Sequence, residues 1–366
     1  MRPLLVDLEP EWRGGQNQAL LLLKGLRARG IHAELVAVAG SALEERAAAA
    51  GIPVHQVDRF WKRGQAALEL RFLLKSGRFD LAHVNEPHAL TAAWLARAHR
   101  RVPLVISRRV GYPIGQSWLA QRRYRAAARI VAISHWAAEQ AAESGASKDK
   151  LAIVYEGVDL PPAVTPELRR AARARWGIPE NIKLLGCVGV LSSDKGQEWL
   201  IRALAAVRAE FPHCHLLLAG DGPCRPKLEA LAKQLGVNRN VILVGFVKEV
   251  ESVYAALDIF LLPSFFEALS NALMSAMAYG LPSIAFKQGG PAEIIQDGKS
   301  GLLVEPGNEK ALSDAIKALL GNYSFAKKLG DAGRQRIEDN FSARKMVEGM
   351  IRIYEETLSS RKSGKI

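Results

Sequence analysis

Short apolar runs alternate with helix-like stretches twice over in this chain, once on each side of a proline-rich segment, and few folds accept that pattern. In the first series the apolar runs fall at 3–8, 32–38, 53–57, 81–84, 104–107 and 130–133, with 152–155 closing it. Between them, 16–29 places Ala19, Leu20, Leu22, Leu23 and Leu26 on one helical face, and Gly30 stops it. Further helices are expected near 43–50, 65–75 and 88–98. The second series has strands near 182–189, 215–219, 241–244, 258–262 and 283–285. Continuous apolar strands that alternate with helices are buried on both faces, which means parallel sheets built from βαβ units. The segment Leu160-Pro161-Pro162 to Pro166 reads as a semi-rigid linker. The expectation is an α/β chain of two Rossmann-like domains facing across a cleft, 1–160 and 161–342. A long amphipathic helix at about 343–358 packs back on the first domain, and the tail from Ser359 is frayed.

Ligands of open α/β sheets bind outside the carboxyl ends of the strands, so the loops there carry the functional reading. In 263–293, Glu267 is a lone carboxylate after the apolar run 258–262 and before a helix, and the N–H groups of Ala268, Leu269 and Ser270 are expected as unpaired first-turn donors. Gly189 opens the loop that carries Lys195-Gly196, where an ammonium just before a helix suits a diphosphate or is simply solvated. Arg13-Gly14-Gly15, after the first strand, lets backbone approach a phosphate or sugar, or is only a tight turn. Gly220-Asp221-Gly222-Pro223 is a strand–helix turn that reads better as structure than as a site, and Gly289-Gly290-Pro291-Ala292-Glu293 is another, in which helix capping alone is enough to explain Glu293. His83, Glu86 and His88 lie close in sequence, but without metalloprotease spacing, and His83 reads better as a buried structural histidine. There is no GxGxxG, Walker A or Gly-x-Ser-x-Gly motif.

The 366 residues carry a net charge of +13, and residues 1–160 hold 23 Lys+Arg against 15 Asp+Glu. That excess points to an anionic partner. No acidic residue stands between Glu86 and Glu139, a stretch rich in arginine with Tyr112, Trp118 and Tyr124 interleaved; Arg59-Phe60-Trp61-Lys62-Arg63 is a second such cluster. Basic residues mixed with aromatics suit the surface of an anionic membrane, or single-stranded nucleic acid. Three cysteines without ligand spacing fit a reducing compartment. With no signal peptide and no apolar run of about 20 residues, the expected location is cytoplasmic, with peripheral contact at the inner face of the membrane.

In order along the chain, Gly189 with Lys195-Gly196, Gly220-Asp221-Gly222-Pro223, Val244-Gly245-Phe246-Val247, Pro263-Ser264 with Glu267, 276–282, Gly289-Gly290 with Glu293, and Gly298 with 301–304 resemble the nucleotide-sugar domain of family 4 glycosyltransferases. Gly14-Gly15, Asp80 with His83, and Gly157-Val158-Asp159 match the first domain more loosely. The resemblance implies a GT-B fold and a retaining transferase that needs no metal and no cofactor, its substrate being a nucleoside-diphosphate sugar. By it Glu267 contacts donor-sugar hydroxyls, the Ala268–Ser270 backbone meets sugar and phosphate, and Lys195 holds the diphosphate. Gly14 and Gly15, with Gly189, line the phosphate side, and Gly245 and Phe246 face the base. Three positions depart from the family pattern. Ser275 stands where a second Glu binds ribose. Val190 stands where an Arg is usual. Arg108-Arg109 replaces a His, and Arg109, with Arg13, is the candidate to supply the missing charge. Arg108 and His88 are candidates for an anionic acceptor.

The reading is therefore a hexosyltransferase-like enzyme acting on an anionic envelope glycan or glycolipid such as lipopolysaccharide core, with no nucleic acid as partner. The rivals are a nucleotide-sugar epimerase on the same fold and a non-catalytic sugar- or nucleic-acid-binding protein.

Overall fold

The computed structural model of the chain describes residues 1–363. They divide into two compact units, one of residues 1–157 with those after 342, the other of residues 158–342.

The first unit runs β1 (Pro3–Asp7), α1 (Gly14–Ala28), β2 (Glu34–Val38), α2 (Ala42–Ala49), β3 (Val54–Val57), α3 (Lys62–Lys75), β4 (Leu81–Val84), α4 (Pro87–Leu95), β5 (Leu104–Arg108), α5 (Trp118–Arg125), β6 (Arg129–Ala132), α6 (His135–Glu143) and β7 (Leu151–Ile153). The second runs α7 (Pro166–Arg175), β8 (Lys183–Val188), α8 (Gln197–Val207), β9 (Cys214–Ala219), α9 (Arg225–Gln234), β10 (Val241–Gly245), α10 (Glu251–Ala256), β11 (Ile259–Leu262), α11 (Asn271–Ala278), β12 (Ser283–Phe286), α12 (Pro291–Ile294), β13 (Leu302–Val304), α13 (Glu309–Gly321) and α14 (Tyr323–Asn340). Helix α15 (Ala343–Lys362) returns to the first unit.

The first sheet has seven strands in the order β3-β2-β1-β4-β5-β6-β7, the second six in the order β10-β9-β8-β11-β12-β13. Every strand pair in both is parallel. Both faces of the first sheet are covered, and alternation along a strand assigns its side chains to two cores. Leu4 and Val6 of β1 pack with α3 and α4, whereas Leu5 packs with α1 and with Met346, Val347, Met350 and Tyr354 of α15.

The strand pattern held, and the differences have local causes. Helices α5, α6, α13 and α14 and strand β13 go beyond the elements expected from the sequence. Helix α5 buries only Ala120, and α6 buries only Ala137, Ala138 and Ala141, so neither has a bulky apolar stripe. Their serine N-caps were the available signal: Ser117 accepts from the N–H of Ala120 and Ser134 from that of Ala137. Strand β11 begins at Ile259 rather than Asp258, because the Asp258 carboxylate is turned to Arg169 and Arg173, each at 2.7 Å, and to the N–H of Leu184. The expected frayed tail is helical at Ser359, Ser360 and Arg361, where Arg361 donates to the carbonyl of Arg101; residues 364–366 of that tail lie outside the described residues.

Candidate active site

Strands β8, β11 and β12 are neighbours in the second sheet, so the loops at their carboxyl ends meet although up to 95 residues of sequence separate Lys195 from Gly290. Two glycines let them lock. Gly196 is in the left-handed region at φ 64°, and a Cβ there would lie 2.2 Å from the carbonyl oxygen of Pro263. A Cβ on Gly290 would lie 2.4 Å from the carbonyl oxygen of Ala268. Backbone bonds close the joint: Phe265 N–H donates to Asp194 at 2.8 Å, and Gly290 N–H to Glu267 at 2.9 Å. Below it, the Phe265 ring meets Trp199 and Phe286 edge-on.

This joint holds Glu267, and the carboxylate is not alone. Lys195 Nζ lies 2.5 Å from Glu267 Oε2, with side-chain exposures of 26% and 18%. Burial pushes the Glu267 carboxyl above its ordinary value, while Lys195 and the Ser264 hydroxyl pull it back and Asp194 adds to the rise. The Cys187 thiol beneath is pushed up to about 12 by its burial. A protonatable carboxylate clasped to an ammonium offers both an acceptor for hydroxyls and a cation for a phosphate.

The first-turn assignment needs correcting. Helix α11 starts at Asn271, so Ala268, Leu269 and Ser270 precede it, and Ser270 is its N-cap, accepting from the N–H of Leu273. The first turn begins at Asn271, because the Ser270 hydroxyl fixes the helix start one turn later than apolar spacing implied. Ser275, one turn further on, shares a hydrogen bond with the buried Tyr254 hydroxyl, and the Tyr254 ring lies 5.4 Å from that of Tyr279.

The loops after β8, β9 and β10 are stitched in the same way. Gly189 N–H donates to Ala219, Leu191 N–H to Asp221, and Gly220 N–H to Gly245. Val190 and Phe246 are left exposed beside them, Phe246 at 79%. Two supporting residues had no sequence signal. Buried Gln197 holds the carbonyl of Val190 at 2.8 Å, and Arg336 on α14 donates to the carbonyls of Glu293 and Ile294. Neither falls in a glycine-rich loop, and Arg336 acts across 42 residues of chain.

In the first unit, the carboxyl ends of β1, β4 and β5 gather a second polar cluster. Arg109 is ion-paired with Glu156, both largely buried, and donates to Asn85 Oδ1 at 3.5 Å. Gly15 lies beside the Arg109 stem, and Gly14 opens α1. Arg13 is exposed and paired with Glu11. Glu86 caps α4, accepting from the N–H groups of Leu8, His88 and Ala89; burial and nearby Asp7 push its carboxyl up to about 7 against those donors. His88 contributes that N–H, and partial burial with Lys62 and Arg63 nearby lowers its ring pKa. His83 is fully buried, with Nδ1 2.6 Å from the Tyr354 hydroxyl and Nε2 2.8 Å from that of Ser107; burial holds it neutral, with a pKa lowered to about 3. Arg108 is 6% exposed and lies against Tyr124, while the Arg109 side chain keeps 14% exposure. Among the described residues no three His, Cys, Asp or Glu side chains converge as metal ligands would, and no helix is long and apolar enough to cross a membrane.

Helices α3, α4 and α5 pack side by side. Around them Phe60, Trp61, Leu68, Phe72, Leu95, Trp118 and Leu119 are exposed, Phe60 at 97%. A monomer's surface normally carries such residues singly rather than as a group beside arginines and lysines.

A family model described as Glycosyltransferase Family 4 matches residues 12–161, and one described as Glycosyl transferases group 1 matches residues 182–322. The D-inositol 3-phosphate glycosyltransferase of Corynebacterium urealyticum is 31% identical over 283 residues, 72% of this chain and 62% of that relative. The lipopolysaccharide core biosynthesis glycosyltransferase LpsE of Rhizobium meliloti is 27% identical over 289 residues, 77% of this chain and 80% of LpsE. Coverage is not complete: another curated relative is spanned over 54% of its length. Anabaena HepE, solved with UDP and glucose, superposes with a TM-score of 0.83 at 23% identity, covering 98% of this chain and 99% of HepE, which shows a shared fold. Matched in both halves by models of one group and sharing that fold end to end, the chain belongs to the group 1, family 4 glycosyltransferases and has their GT-B fold.

Proposed function

We propose that the chain transfers a hexose from a nucleoside-diphosphate sugar to an anionic envelope glycan or glycolipid, with retention at the anomeric carbon and without a metal. The observation that carries this is the Lys195–Glu267 pair, clamped by three loops at the carboxyl ends of β8, β11 and β12. Glu267 accepts from the donor-sugar hydroxyls and Lys195 donates to the diphosphate oxygens. The breaking bond lies between the anomeric carbon and the diphosphate, so negative charge grows on the leaving group. A fixed cation and oriented N–H dipoles at a helix start stabilise that charge more than they stabilise the intact donor. With Ser275 engaged by Tyr254, the ribose is held without a carboxylate at that position.

The acceptor class rests on the basic, aromatic face of α3 and α5 and on LpsE, a relative named for lipopolysaccharide core biosynthesis. An enzyme with that face works at the inner surface of an anionic membrane, on its cytoplasmic side. Sedimentation with phosphatidylglycerol vesicles tests this part: salt-reversible binding is expected, and equal binding to neutral vesicles refutes it.

A thermal-shift screen of nucleoside diphosphates and their sugars tests the donor class. One nucleoside-diphosphate sugar should raise the melting temperature, Glu267→Ala should cut transfer by at least about tenfold, which is about 1.4 kcal/mol of lost stabilisation, and EDTA should leave the rate unchanged. Full activity in Glu267→Ala overturns the reading.

A further inference from the structure

Arg108 is the last residue of β5. Its side chain is buried beneath α5, 6% exposed, with the guanidinium carbon 5.9 Å from the ring centroid of Tyr124. Nη1 donates to the Tyr124 hydroxyl at 3.2 Å. Nε and Nη2 are buried and have no hydrogen-bond partner. Among the described residues no carboxylate forms an ion pair with it. Local sequence offers none, since nothing between Glu86 and Glu139 is acidic and α5 adds Arg122, Arg123 and Arg125. The other buried arginines differ. Arg109 has Glu156, and Arg173 has Asp258 and a ring of backbone carbonyls. A buried cation with two orphaned donors is expensive to keep, and contact with one aromatic ring offsets only part of that.

We infer that Arg108 is the seat of an anion-binding site that takes a phosphate-type oxyanion, the guanidinium leaving Tyr124 to meet it. The geometry favours that movement. The guanidinium is held by one hydrogen bond, to the Tyr124 hydroxyl. Residues 110–117, which follow it, are mostly exposed, anchored by Gly111 against Trp136 and by Ile114 in the core. A segment with so few buried contacts opens at low cost, and a planar guanidinium with free Nε and Nη2 presents the fork that binds phosphate through two bonds. This deepens the proposed anionic acceptor, and rests on that reading only for where the phosphate comes from.

The test compares the wild-type chain with Arg108→Met, Tyr124→Phe and Arg122→Met, by calorimetric titration with inorganic phosphate at constant ionic strength and by binding to phosphatidylglycerol vesicles. Arg108→Met should weaken phosphate binding at least about tenfold without lowering the melting temperature, because it removes an uncompensated buried charge. Tyr124→Phe keeps the ring and removes the one bond that parks the guanidinium, so phosphate should bind about two- to fivefold more tightly, in line with one modest hydrogen bond. Arg122→Met, an exposed residue stacked on Trp118, should leave phosphate affinity unchanged. A loss confined to vesicles supports the site and assigns the phosphate to a lipid headgroup; a loss with free phosphate supports it for a soluble phosphate group. Unchanged binding in both arms overturns it, as does a lowered melting temperature with unchanged affinity. Should Arg108→Met not fold, Tyr124→Phe decides alone, and unchanged or weaker phosphate binding there refutes the site. A failed donor screen bears only on the transferase reading, since free phosphate needs no donor.

Discussion

Replacing Lys195 with methionine would leave Glu267 as buried as before and without its cation. Removing one partner of a buried ion pair costs about 3–5 kcal/mol. The two side chains keep 26% and 18% exposure, so solvent screens part of the charge and roughly 2–3 kcal/mol is expected at pH 8. At about 2–4 °C per kcal/mol for a unit of this size, the melting temperature should fall by about 4–12 °C. The loss has a pH signature. Burial already raises the Glu267 carboxyl above 4.5, and without Lys195 it rises further. A carboxyl whose folded pKa is raised keeps its proton in the folded state. Its penalty is therefore absent below the unfolded pKa and appears as pH climbs through the folded one. Wild type and Lys195→Met should converge near pH 4.5 and separate towards pH 8, read by urea unfolding followed by circular dichroism. Adding Glu267→Gln should restore most of the loss at pH 8. A loss equal at all pH values, or one that Glu267→Gln does not relieve, would refute the view that these two groups are coupled.

Arg173→Met strips Asp258 of one of its two cations and abandons the carbonyls of Ala256, Glu180 and Ile182, so urea unfolding should show a loss of about 3–5 kcal/mol. His83 is neutral in the fold, with a pKa of about 3 against an ordinary 6.5. Stability should therefore be full above pH 6.5 and decline as pH falls towards 3, by up to about 1.4 kcal/mol per unit; His83→Gln, whatever its offset, should flatten that acid limb in a denaturation series. Gly290→Ala drives a methyl group into the Ala268 carbonyl and should cost about 1–3 kcal/mol, measured by thermal unfolding, and abolish the shift that the nucleoside-diphosphate sugar produces in wild type.

Much of the architecture was readable because it is written locally. Runs such as those around Leu4–Val6 and Leu216–Leu218 are apolar on both faces, and only a covered parallel sheet buries both faces of a strand. The loop glycines were readable as well, because the backbone leaves few alternatives where two loops touch. What stayed hidden was written in small or distant residues. Helix α6 packs through three alanines, which bury too little to stand out from a polar loop. The start of α11 depended on one serine hydroxyl, so Ala268, Leu269 and Ser270, expected in its first turn, precede it. Arg109 stood as the candidate to supply diphosphate charge, and its partner Glu156 was out of view because it lies 47 residues on, after β7.

The sequence by itself determined the two parallel α/β series and the family, since each rests on spacing within a few residues. Tertiary structure alone decided what each charge meets. Glu267 meets Lys195 because β8 and β11 are neighbours, Ser275 on α11 meets Tyr254 on α10 across 21 residues of chain, and Arg108 meets no anion at all among the described residues. Strand order is a property of the closed sheet, and a chain read one residue at a time does not contain the distances that turn a charge into a pair or leave it unpaired.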